Sequence, residues 1–219
     1  MKNNLKFKGA IFDMDGTLID SMGYWKTAAG DYVKALGKTP ADDLGDRFLT
    51  LGLNNIYPDI QKEYGINEPL ETVSAGIYAI MEKNYDKVEI KPYVKEMLES
   101  FKNEGVRMCI ASATDASLAS KVLQRLGILE YFSGVLCCKD VGKGKRYPDI
   151  YNYALKFLGT DKEDTYVFED AVFAIRTLNQ NGFTSVAIED VNSENERAEI
   201  KSLCTYYIDS YKNWENILK

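Results

Sequence analysis

Two aspartates one residue apart, Asp13 and Asp15, follow the apolar run Ala10-Ile11-Phe12 and open onto Gly16 and Thr17. Side chains two positions apart on an extended chain share a face, so these carboxylates repel one another. A cation offsets that cost, and Mg²⁺ is the hard ion that such oxygens prefer. A second acid pair, Glu169-Asp170, closes the run Tyr166-Val167-Phe168 and calls for a cation in the same way. A hydroxyl, Ser112, ends the run Ile110-Ala111, with Ala113 and Thr114 behind it. Such a hydroxyl can hold a phosphate oxygen, although a serine at a strand end is more often a helix cap; Thr114 and Asp115 are the alternatives for the cap. Two lysines, Lys143 and Lys145, stand in the glycine-containing stretch Gly142–Arg146, where a solvated basic loop is the ordinary explanation.

What is missing narrows the chemistry. The chain of 219 residues has no histidine. That removes Ser-His-Asp triads, histidine acid–base catalysis and histidine-ligated zinc together. Cys109, Cys137, Cys138 and Cys204 lie in or beside apolar runs without C-x₂-C spacing, and are read as buried free thiols in a reducing, cytoplasmic setting. A net charge of -6 with no basic cluster argues against nucleic acid as a partner. No apolar stretch approaches the length of a membrane span, and the N-terminal residues lack the apolar segment of a signal peptide.

The elements that must position these groups follow from the apolar pattern. Residues 6–12 form a strand ahead of the aspartates. Asp20-Ser21 is placed to cap a helix over 22–36, whose apolar residues recur at 22, 25, 29, 32, 33 and 36. Residues 41–67, interrupted by Gly45, Gly52, Pro58 and Gly65, predict short helices and turns, and 68–89 a longer helix. No strand pattern occurs between 21 and 90. After Pro92 the pattern alternates: helix 93–103, strand 106–111, helix 115–126, strand 134–137, helix 149–158, strand 165–168, helix 171–181, strand 185–188, then a strand near 205–208 and a short helix. Such alternation predicts an α/β fold, a doubly wound parallel sheet. Residues 1–19 and 91–219 form its core, and 20–90 is an inserted helical block, a lid over the carboxyl ends of the strands with hinges near 19–21 and 90–92.

The Asp13-x-Asp15-Gly16-Thr17 pattern resembles the signature of the haloacid dehalogenase-like superfamily, and the three later stretches fit its motifs in order. The resemblance implies a Rossmann-like core with a helical cap of the β-phosphoglucomutase-like type. It implies that Asp13 is the nucleophile that accepts a phosphoryl group, and that Asp15 protonates the leaving oxygen, later activates water, and lends a backbone carbonyl to the metal. Asp170 is implied as a metal ligand and Glu169 as a direct or water-mediated one. Ser112, Ala113, Thr17 and Lys145 are implied as phosphate-binding. The family's lysine often stands in Lys-Pro-x-Pro-Asp; alignment on Pro148-Asp149 selects Lys145, with Arg146 in place of the first proline and Lys143 as runner-up.

The expected activity is that of a Mg²⁺-dependent phosphatase of a small phosphorylated metabolite, a sugar phosphate or similar, in a monomer or weak homodimer. A β-phosphoglucomutase-type mutase is the alternative in the same fold, against which Trp25 stands where such mutases commonly carry a histidine. A non-catalytic phosphate-binding protein is a third reading. True dehalogenases lack an acid at the position of Asp15. Asp20, Tyr24, Trp25 and Arg47 are the candidates for selecting substrate, with packing the competing role for Trp25 and solvation for Arg47.

Overall fold

The computed structural model describes residues 5–218. Two compact units divide it: one joins the segment that ends at Asp20 to the segment that begins at Glu89, and the other is Ser21–Val88.

The first unit is built on β1 (Gly9–Phe12). The strand is shorter at its start than the apolar run predicts. In this unit α5 (Val94–Asn103), β2 (Arg107–Ser112), α6 (Ala116–Arg125), β3 (Val135–Cys137), α7 (Cys138–Val141), α8 (Asp149–Leu158), β4 (Thr165–Glu169), α9 (Val172–Gln180), β5 (Thr184–Ile188), α10 (Arg197–Leu203), β6 (Tyr206–Ile208) and α11 (Trp214–Leu218) follow the helical insertion. The strands pair in the order β3-β2-β1-β4-β5-β6, all parallel. β1 is therefore central, between β2 and β4, and the strand order reverses beside it. In open parallel sheets ligands bind at the carboxyl ends of the strands around such a reversal.

Alternation along each strand fills both faces. Ile11, Cys109 and Val167 join Ile150, Tyr151 and Ala154 of α8 and Ile175 and Leu178 of α9 in one buried cluster. On the other face Phe12 stacks on its register partner Phe168 at 4.3 Å, and Phe101 of α5 packs against both and against Trp214. A strand buried on both sides carries no polar alternation, which is why these runs read as continuously apolar.

The apolar pattern announces neither the short α7 nor α10. Only Ile200 among the residues of α10 is buried. Bonds from Arg176 to Glu199 and from Asn179 to the Leu203 carbonyl tie this helix to α9.

The second unit consists of α1 (Met22–Ala35), α2 (Leu44–Leu51), α3 (Leu53–Tyr64) and α4 (Leu70–Tyr85). Pro58 lies inside α3 rather than breaking it. A proline there removes one backbone bond and costs about 3 kcal/mol. Ile56, Ile60 and Tyr64 are all buried on one stripe of the helix, and burying side chains of this size contributes about 1.5–3 kcal/mol each, enough to override the break. Ser21 stands at the start of α1, but its side chain makes no capping bond to the helix.

Candidate active site

The loop after β1 is fixed by the strand beside it. The Asp13 amide donates to the Phe168 carbonyl at 2.9 Å, extending the β1–β4 ladder by one residue. The chain then turns back: the Gly16 amide donates to the Ile19 carbonyl at 3.0 Å, and the Leu18 amide to the Met14 carbonyl at 2.9 Å. Gly16 takes φ +78°, a left-handed conformation in which any Cβ would be strained. Asp13, one of the two aspartates of this loop, is thus held at the carboxyl edge of the central strand, next to the end of β4 and its acids Glu169 and Asp170.

Lys145 brings these groups together. Its ammonium is paired with Asp13 Oδ1 and lies 2.7 Å from Glu169 Oε1. Glu169 Oε1 also accepts from the Tyr151 hydroxyl at 2.8 Å. Asp170 Oδ1 accepts from the Thr17 hydroxyl at 3.0 Å. Asp13, Lys145, Glu169 and Asp170 are all buried.

Burial sets the protonation energetics. It pushes the Asp13 carboxyl well above the usual carboxylate range; Lys145 opposes the rise, while Glu169, Asp170 and Asp15 add to it. Burial likewise raises Asp170 to about 7, with Glu169 and Asp190 adding to the rise and Lys91 and Lys145 opposing it. For Lys145, burial alone would lower the pKa, but Asp13 and Glu169 outweigh it and hold the ammonium above its ordinary value. Crowded acids driven upward in this way are a group that a cation would relieve.

The donor set fits a hard divalent ion. Among the described residues, Asp13, Glu169 and Asp170 offer one carboxylate oxygen each within 4.8 Å of one another. Glu169 Oε2 is buried with no hydrogen-bond partner. A buried carboxylate oxygen left alone is costly, and a cation is the natural partner for it. Because Lys145 and Tyr151 already occupy Oε1, Oε2 is the oxygen that Glu169 has to give.

The other residues singled out from the sequence fall as follows. Asp15 is half-buried and outside the three-acid cluster; its Oδ2 accepts from the Thr114 hydroxyl at 2.9 Å. Ser112 is the buried last residue of β2, and its Oγ accepts from the Thr114 amide at 3.0 Å. The cap of α6 is Asp115, which accepts from the Ser117 amide. Thr17 is buried, and its hydroxyl bond to Asp170 sets it beside the acid cluster. Lys143 points to the surface, 3.1 Å from Asp149 Oδ1, which leaves Lys145 as the lysine among the acids.

Of the substrate-selecting candidates, Asp20 is exposed and its amide donates to the Glu89 carbonyl at 2.9 Å. Tyr24 is half-buried in α1. Trp25 packs inside the helical unit against Phe48, Tyr78 and Tyr85, with ring centroids 5.4–6.4 Å away. Arg47 is half-buried and held among acids. Its two terminal nitrogens bind both oxygens of Glu63, at 3.0 and 2.8 Å, and Asp43 lies 3.2 Å from Nε.

Four contributors lie outside the recognised motifs. Tyr151 braces Glu169, and the buried Tyr211 donates to the Thr17 carbonyl at 3.0 Å. Lys91 donates to Asp190 Oδ2 at 2.9 Å and to the Glu189 carbonyl at 3.0 Å. Asp190 follows β5 as Asp170 follows β4, so the strand-then-acids signal at Glu189-Asp190 was available to point to it.

A buried lysine between acids at the reversal point of a parallel sheet defines a recognisable class. The family model for haloacid dehalogenase-like hydrolases matches residues 7–182, and the chain belongs to that family. The chain is 26% identical over 180 residues to the phosphorylated carbohydrates phosphatase of Thermotoga maritima, covering 82% of this chain and 83% of that protein. It is 25% identical over 194 residues to the β-phosphoglucomutase of Bacillus subtilis, with 83% of each chain covered. The fold matches the crystal structure of a HAD hydrolase from Entamoeba histolytica with a TM-score of 0.81, at 21% identity over 94% of each chain.

Proposed function

We propose that this chain is a Mg²⁺-dependent phosphomonoesterase that releases phosphate from a small phosphorylated metabolite, with sugar phosphates the favoured class. The observation that carries the reading is the Lys145 ammonium set against Asp13 and Glu169, with Asp170 completing three acid oxygens within 4.8 Å. The name of the Thermotoga maritima relative supports the carbohydrate class.

In this reading Asp13 attacks phosphorus and forms an aspartyl-phosphate, which divides one difficult displacement into two. Lys145 stays charged throughout and offsets the negative charge of Asp13 and of the phosphoryl oxygens as they approach. Ser112 and the amide of Ala113 hold a phosphate oxygen. Asp15 gives its proton to the leaving oxygen and then takes one from the attacking water. Asp13, Glu169 and Asp170, with the backbone carbonyl of Asp15, hold Mg²⁺, which supplies further positive charge against the phosphoryl group when bound. Selection among esters is assigned to the helical unit 21–88.

The test is a panel of sugar and nucleotide monophosphates with Mg²⁺, run on the wild type and on Asp13→Asn together. Phosphate release by the wild type and a loss of at least about 10³-fold in the variant are expected. A zero rate across the panel overturns the reading. A phosphomutase is the second reading, favoured by the similarity to the Bacillus subtilis enzyme. Incubation with β-glucose 1-phosphate and its bisphosphate separates the two: an isomer marks a mutase, inorganic phosphate a phosphatase.

A further inference from the structure

The two oxygens of Glu169 are used unequally. Oε1 lies 2.7 Å from Lys145 Nζ and accepts from the Tyr151 hydroxyl at 2.8 Å. Oε2 is buried without a hydrogen-bond partner. An oxygen of a carboxylate has two lone pairs, so two donors fill Oε1. The donors differ in stiffness. Lys145 reaches Glu169 on a flexible stem, and its ammonium is shared with Asp13. Tyr151 stands in the first turn of α8 with its side chain fully buried. It lies in the apolar cluster with Ile11, Val167 and Ile175, and its ring packs on Phe183 with centroids 5.8 Å apart. A ring held on its apolar surfaces aims its hydroxyl in one direction. Tyr151 is therefore the rigid donor that reserves Oε1.

Resting on the phosphatase reading and its cation site, we propose that Tyr151 is a positioning residue that holds Glu169 to one oxygen and so sets the preference of the site for Mg²⁺ over Ca²⁺. Mg²⁺ demands near-octahedral geometry at about 2.0–2.1 Å, whereas Ca²⁺ accepts about 6–8 oxygens at about 2.3–2.6 Å and takes carboxylates through one oxygen or both. With Oε1 filled, Glu169 offers Oε2 alone, which suits the smaller ion. Without the Tyr151 hydroxyl, a lone pair of Oε1 is released and the carboxylate is free to turn both oxygens to an ion, which suits the larger one. A tyrosine fits this task because its hydroxyl occupies the oxygen without adding positive charge. A second cation there would cancel the acid charge that attracts the metal. Outer partners of metal ligands commonly govern metal affinity in this way.

The experiment is calorimetric titration of the full chain with Mg²⁺ and, separately, with Ca²⁺, at pH 8 and with no ester present. Tyr151→Phe keeps the ring and removes the donor. It is expected to raise the Mg²⁺ Kd by about 10-fold or more and to leave the Ca²⁺ Kd unchanged or lower, so that the ratio of the two shifts toward Ca²⁺ by at least about 10-fold. Phe183→Leu loosens the same packing but keeps the hydroxyl, and is expected to shift the ratio by less than about 3-fold. A crystal structure of the wild type with Mg²⁺ reads the same point without a variant. Oε2 is expected to face the ion while Tyr151 stays on Oε1, and an ion facing Oε1 or both oxygens overturns the proposal. Equal weakening of both ions in Tyr151→Phe, no change in either, or an equal shift in Phe183→Leu also overturns it. None of these results touches the phosphatase reading, which stands on ester hydrolysis by the wild type. A wild type that binds neither ion and releases no phosphate from the ester panel overturns that reading itself.

Discussion

Lys145 Nζ lies 2.7 Å from Glu169 Oε1, while the other oxygen of the same carboxylate, Oε2, is buried without a hydrogen-bond partner. One glutamate therefore faces two different cationic demands. The lysine is fixed by the fold, and the second position suits an ion. Tyr151, donating to Oε1 at 2.8 Å, keeps the carboxylate from rotating to offer both oxygens to the lysine.

Replacing Lys145 by Met keeps most of the stem and removes the charge. Asp13, Glu169 and Asp170 then share the buried site without that ammonium, and burial raises Asp13 further from ionisation. A nucleophile that is protonated does not attack. The expected result is a fall in kcat of at least about 10³-fold on any ester that the wild type hydrolyses. Raising the pH from 6 to 8 is expected to restore part of it by ionising Asp13. Steady-state kinetics at the two pH values check both statements. The wild type draws no pH limb from Lys145 in this range, because its partners hold the ammonium above its ordinary value.

Cation binding is expected to be tied to proton release at Asp170. Burial raises this carboxyl from 3.8 to about 7. Between those values the folded, cation-free chain keeps a proton that the unfolded chain has lost. Stability without a cation therefore falls as pH rises through this window and levels off above about 7. Mg²⁺ favours the ionised form, so below about pH 7 it must displace the proton, and its apparent affinity weakens by roughly tenfold per pH unit. Thermal melts with Mg²⁺ and with a chelator, at pH 5.5 and 8, check this. The Mg²⁺-induced rise in Tm is expected to be larger at pH 8, and an equal rise at both would contradict the linkage.

The legible parts of this chain are those in which a local pattern determines a local outcome. Asp13 and Glu169-Asp170 stand out because acids that end fully apolar strands have few structural reasons to be there. The parallel, doubly wound character of the sheet follows from the alternation of strands and helices. Contacts across long sequence separations carry no such pattern: Tyr211 reaches the Thr17 carbonyl over 194 residues and Thr114 reaches Asp15 over 99. Lys91 reads from sequence only as a neighbour of the boundary proline. Pro58 shows the converse, a clear local signal overruled by the buried stripe of Ile56, Ile60 and Tyr64. Arg47 reads as an available cation until Glu63 and Asp43 are seen around it.

Lys91 and Asp190 form a largely buried ion pair that acts electrostatically on Asp170, 2.9 Å apart with side chains 13% and 2% exposed. The Lys91 amide donates to the Leu18 carbonyl at 2.9 Å, so one residue joins the end of the aspartate loop to the end of β5. Asp190 also accepts from the amide and the side chain of Asn192, both at 2.9 Å, and is well held without the lysine. Lys91→Met would therefore strand a buried charge in place rather than let it escape to water. The expected cost is about 3–5 kcal/mol, as for other buried pairs that lose one partner. Asp190→Asn on the same background is expected to recover at least about half of it, since the amide carries no charge to leave uncompensated. Urea unfolding of the two single variants and the double variant measures the coupling. Additive losses would show that the pair stabilises the fold only through separate contacts of each residue.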